Sequence, residues 1–113
     1  RQNMESKTKE QIMQSGCDLI VDELIRARVK FPIKTNSPHE GFSVLKEEFD
    51  ELKDEIGFMK EHMKDLWLNV KTDNYDAQAD ELDRIIDRSR DVIYEAIQFG
   101  AMALKWREDL SGS

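Results

Sequence analysis

Apolar residues recur along this chain at steps of three and four, the period of an amphipathic helix. In the first block Met13, Cys17, Ile20, Leu24, Ala27 and Phe31 follow a 4-3-4-3-4 spacing and make one face. Val21, Ile25 and Val29 form a second stripe beside it, so this helix is expected to touch two neighbours. It should stop before Pro32, because the residue preceding proline avoids the α region. The stretch "FPIKTNSP" then reads as a loop.

Ser37-Pro38-His39-Glu40 has the form of a helix start. Ser37 suits the N-cap, Pro38 the first helical position, and Glu40 completes a capping box. That places His39 and Glu40 in an N-terminal turn rather than in chemistry. The helix that follows carries Leu45, Phe49, Leu52 and Ile56, and the same phase continues past Gly57 through Met59, Met63, Leu66 and Val70. Either one long helix crosses a weak point or two helices meet there. "NVKTDNYD" is polar and turn-rich, so the chain reverses. A last helix is expected from about Ala77 to Trp106, with Leu82, Ile86, Ile93, Ile97, Gly100 and Leu104 on one face. The pattern predicts an all-α bundle of about four helices in a single domain spanning 1–113, with 1–4 and 110–113 as frayed ends.

Composition narrows the function classes. Of the 113 residues, 39% are apolar and 36% charged, with a net charge of −7. That balance disfavours a binder of nucleic-acid backbones. Acid-rich proteins that meet phosphates usually do so through divalent cations. Cys17 is the lone cysteine, which fits a reducing, cytoplasmic setting and reads as a small core residue. The longest uninterrupted apolar run, 99–104, is far too short to span a bilayer, so no membrane partner is expected.

Candidate chemistry lies in the acids of two helices. In "LKEEFDELKDEI", Glu48 stands at the margin of the apolar stripe, Glu51 and Glu55 follow on the same flank, and Glu47 and Asp54 point further out. Residues at i and i+3 are neighbours, so Glu48 and Glu51 can aim their carboxylates at one point. Asp91, Glu95 and Gln98, at i, i+4 and i+7, form a second polar stripe, and the last two lie inside "VIYEAIQFGAMAL", a segment otherwise apolar nearly all round. A buried carboxylate needs a partner or a metal ion. Inward acids on facing helices are one way to build a metal site in a bundle, and oxygen-only ligands suit Mg²⁺ or Mn²⁺. A solvated acidic face on the second helix, and a buried Glu95 and Gln98 hydrogen-bonded to an arginine, Tyr94 or the backbone, are the structural alternatives. No phosphate-cradling glycine loop, CxxC or zinc-binding histidine pair is present.

Glu47-Glu48-x-x-Glu51 followed by Glu95-x-x-Gln98 resembles the EExxE and ExxD signature of MazG-like all-α nucleoside triphosphate pyrophosphohydrolases. "DELIRARVKFP", "SPHEGFSVLKEEFDELKDEI" and "EAIQFGAMAL" are similar to small MazG-like proteins, and the likeness covers most of 17–104 outside 57–90. It implies a MazG-like bundle completed by dimerisation, as a homodimer or homotetramer. It also implies Mg²⁺, with Mn²⁺ as an alternative, held by carboxylates, and an NTP or dNTP cleaved to the monophosphate and pyrophosphate. Carried over by position, Glu48 and Glu51 are the catalytic metal ligands, with Glu47 as an addition and Glu95 from the second motif. Gln98 stands where the motif usually has Asp; its amide oxygen can ligate without adding charge, and Asp91 is placed to supply the missing carboxylate. Arg28, Lys30 and Lys34 are the basic residues considered for phosphate contact. Two other classes fit the same residues: a nucleotide-binding homologue with impaired catalysis, and a helical oligomerisation module.

Overall fold

A computed structural model describes residues 5–112, and among them the chain is all-α, with no strand. The helices are α1 (Lys9–Lys30), α2 (Pro38–Lys71) and α3 (Tyr75–Ser111). Three helices therefore replace the expected four or so, because α2 runs for 34 residues straight through Gly57. A helical glycine costs only about 1 kcal/mol, too little to break a helix whose apolar stripe continues in phase on both sides. Leu110 and Ser111, expected in a frayed end, lie in the last turn of α3, whose Gly112 N–H closes onto the Glu108 carbonyl at 2.8 Å. Residues 1–4 and 113 lie outside the described residues.

Local chemistry sets the helix ends. Thr8 caps α1 in a reciprocal box with Gln11: the Gln11 N–H donates to Thr8 Oγ1 (3.1 Å) and the Thr8 N–H to Gln11 Oε1 (2.9 Å). Ser37 caps α2 through the Glu40 N–H at 3.2 Å. The Glu40 carboxylate reaches past the cap to the Asn36 N–H instead of completing the box. Between α2 and α3, Asp73 adopts the left-handed conformation (φ 53°), and the Asn74 side chain caps α3 through the Ala77 N–H.

α2 and α3 form a hairpin, and α1 lies against α3 alone. That asymmetry opens a cleft between α1 and α2. It also leaves the second stripe of α1 bare: Ile25 is 59% and Val29 80% exposed. Cys17, expected in the core, is exposed, although Leu24 on the same stripe is buried. Among the described residues only Leu24 and Ala101 are fully buried apolar side chains. The radius of gyration is 18.4 Å, against about 13 Å for a compact domain of this length.

Asp109 fixes α1 and the loop to α3. Its buried carboxylate accepts from Arg28 Nη2 (2.9 Å), the Thr35 N–H (2.7 Å) and Lys105 Nζ (3.4 Å). Burial pushes this carboxyl up, but the Thr35 and Arg28 hydrogen bonds outweigh it and hold it far below the usual range. Two glycines permit close approach. A Cβ on Gly100 would meet Ile20 of α1 at 2.9 Å, and one on Gly41 would stand 2.6 Å from the Trp106 ring.

Candidate metal centre

Helical phase carries three acids to one point. Glu48 and Glu51 leave the flank of α2 one turn apart, and Glu95 comes from α3 opposite. Each offers a carboxylate oxygen, and all three oxygens lie within 4.8 Å of one another. Burial, then Glu51 and Glu95, push the Glu48 carboxyl up to about 7. Glu95 is raised as well, by burial first and then by Glu51. Its Oε2 is buried and has no hydrogen-bond partner. A native structure rarely leaves such an atom unpaired. Three hard oxygen donors, one of them orphaned, fit Mg²⁺ or Mn²⁺ and not a thiolate- or imidazole-seeking metal.

The remaining sequence candidates take other positions. Glu47 is exposed on the wall of the cleft and is not among the converging oxygens. Asp91 lies 3.6 Å from Arg88, which also donates to Glu55 at 2.9 Å. Gln98, one turn beyond Glu95, faces Glu23 and the cleft, and its Nε2 is buried without a partner. Of the basic residues, Arg28 is committed to Glu108 and Asp109, and Lys34 donates to the Gly112 carbonyl. Lys30 lines the cleft. So does Arg26, one turn before Lys30 on the same face of α1 and not among the basic residues the sequence pointed to; it pairs with Glu23 at 2.9 Å.

The cleft has two adjoining chambers. The smaller, about 270 Å³, is walled by Glu23, Arg26, Lys30, Glu48, Tyr94 and Gln98 among others. The larger, about 750 Å³, is walled by Phe31, Ile33, Val44, Glu47, Met102 and Trp106 among others. Lys30, Phe31, Glu48, Met102 and Lys105 line both, so the chambers form one groove, and Glu48 is the member of the acid trio on its wall.

A second cluster, His62, Asp65 and Glu81, lies elsewhere on the hairpin. Glu81 is the most buried charged residue among the described residues, 2% exposed. His62 Nδ1 lies 3.1 Å from its Oε1, and Arg84 Nη1 donates to its Oε2 at 3.0 Å. Burial raises this carboxyl, but Arg84 and His62 together bring it below the usual value. With both oxygens engaged, the cluster is an ion-pair clasp between α2 and α3.

No family model, curated protein or solved structure matches the chain. The resemblance to MazG-like enzymes therefore rests on the residues that carry it. None of the described helices is long and apolar enough to cross a membrane.

Proposed function

We propose that this chain is a MazG-like, Mg²⁺-dependent pyrophosphohydrolase that cleaves a nucleoside triphosphate to the monophosphate and pyrophosphate. The observation that supports it is the convergence of Glu48, Glu51 and Glu95 within 4.8 Å, with Glu95 Oε2 buried and unpaired. These three side chains would hold the ion. Bound there, Mg²⁺ would offset most of the trio's charge and polarise the phosphate oxygens. Lys30 and Arg26, across the smaller chamber, face the negative charge of the triphosphate. A carboxylate oxygen of Glu48 or Glu51 orients a water in line with the α-phosphorus and accepts its proton. The bond from that phosphorus to the bridging oxygen breaks, and pyrophosphate leaves without a covalent enzyme intermediate. Glu47, Asp91 and Gln98 act at the margin, as supplementary ligands or as partners of the trio.

Dimerisation is part of the reading. The exposed apolar side chains of α1 and of the α2–α3 hairpin exceed what a stable single chain leaves in water, and a twofold partner would cover them. A homodimer, or a homotetramer of two such pairs, in the cytoplasm is the expected form, with no nucleic-acid or membrane partner. Gln98, in place of the usual acid, favours one alternative: a homologue that binds nucleotides and turns them over poorly.

Pyrophosphate release from a panel of NTPs and dNTPs with Mg²⁺ tests the proposal. Turnover that disappears in Glu48→Gln and Glu95→Gln is expected. Mg²⁺-dependent binding without turnover selects the impaired homologue, and no binding of any nucleotide sinks both.

A further inference from the structure

The groove does not end at the acids. On α2, Gly41, Val44 and Glu48 stand at i, i+3 and i+7, one face of the helix. On α3, Trp106, Met102, Gln98 and Glu95 step back along the facing stripe at intervals of four, four and three. The two helices therefore run one groove from an acidic end to an apolar end. Its far wall is Trp106, whose indole lies over the backbone of Gly41; the absent side chain there is what lets the ring settle, since a Cβ would stand 2.6 Å from it. Gly41 and Glu48 are seven residues apart, a rise of about 10 Å along a helix. That is the scale of a nucleoside and not of a phosphate chain alone. The larger chamber, about 750 Å³, is within the size range of small-molecule pockets. Lys105 holds the loop wall in place by donating to the Ile33 carbonyl at 3.1 Å, so the groove is formed before anything enters it.

We infer that Trp106 is the platform on which the aromatic base of the substrate stacks, while the triphosphate reaches back to Glu48, Glu51 and Glu95. This rests on the nucleotide reading above and adds to it what the groove recognises: a nucleoside with an aromatic base, and not an inorganic polyphosphate or an alkyl phosphate. Stacking on an aromatic side chain tolerates any base, so Trp106 supplies affinity for the base as a class.

The test uses the whole chain carrying Trp67→Phe, which leaves Trp106 as the sole indole; Trp67 is 60% exposed and lines neither chamber. Titration with nucleoside triphosphates in Ca²⁺ should quench the remaining fluorescence, and tripolyphosphate should not. Trp106→Leu should weaken nucleotide binding roughly tenfold or more and leave tripolyphosphate binding unchanged. Trp106→Phe, which keeps a ring, should recover most of the affinity. Equal losses for nucleotide and tripolyphosphate in Trp106→Leu would make the residue purely structural and overturn the inference. So would nucleotide binding that is indifferent to the substitution. A quench that follows protein concentration and ignores nucleotide would give the groove to a second copy of the chain. If the parent protein binds neither ligand, the nucleotide reading itself falls.

Discussion

Glu48 meets neutral pH close to half-ionised, because burial and the charges of Glu51, Glu95 and Glu47 all oppose its losing a proton. In the unfolded chain the same carboxyl titrates near 4.5, and in the folded chain near 7. The folded state thus holds the extra proton between those values. The contribution of Glu48 to stability is fully present below about 4.5 and is lost as pH rises through about 7. Metal-free protein should therefore melt lower at pH 7.5 than at pH 5.5. Glu48→Gln should flatten that slope, and Mg²⁺ at pH 7.5 should raise Tm in the parent far more than in the variant. A melting curve equally indifferent to pH and to Mg²⁺ would remove the site. Gln98 gives a second handle. As a ligand, Gln98→Asp adds a negative charge to the cluster and should tighten Mg²⁺ binding by roughly an order of magnitude, readable by calorimetry. As a core hydrogen-bonding residue only, the same change should lower Tm by the equivalent of about 1–3 kcal/mol, with no gain in ion affinity. The trio was legible in the sequence because helical phase fixes where a side chain points once the helix is known. Glu81 was not. In "DELDR" it reads as a surface acid, and it is buried because His62, 19 residues back on α2, crosses to it.

At the scale of elements, α2 offers a clean experiment. Nothing lies within 4 Å of where a Cβ on Gly57 would stand. Gly57→Ala should therefore raise stability by about 0.5–1 kcal/mol, measured by urea denaturation. A loss would mean that the helix is broken there after all. The joint at Asp109 predicts the opposite. Removing a buried carboxylate that serves Arg28, Lys105 and the Thr35 N–H leaves Lys105 without its acid and Arg28 with Glu108 alone, and Asp109→Ala should cost about 3 kcal/mol. Helix starts were readable where capping residues stand in the text, as at Ser37. The joint was not readable, since Thr35 and Arg28 stand 74 and 81 residues from Asp109. The number of helices was not legible, because a lone glycine weakens a helix without deciding whether it continues.

The whole molecule is long and thin, 60 × 38 × 22 Å, with little interior. Periodicity showed which faces were apolar, but it could not show that α1 would have only one neighbour. The stripe of Val21, Ile25 and Val29 was therefore expected inside and is found outside. If a second copy covers it, Tm should rise with protein concentration, and sedimentation at micromolar concentration should give twice the chain mass or four times it. A stable monomer would leave the apolar faces unexplained. The contact between Gly41 and Trp106 reaches further, into how such a protein can change over time. The indole fills the space that any side chain at position 41 would need, so neither position is free to drift alone. Among natural variants of this chain, a residue larger than glycine at 41 should arrive together with a smaller one at 106, and with it a different appetite for the base. The two sites would inherit as one character, although they lie 65 residues apart in the sequence.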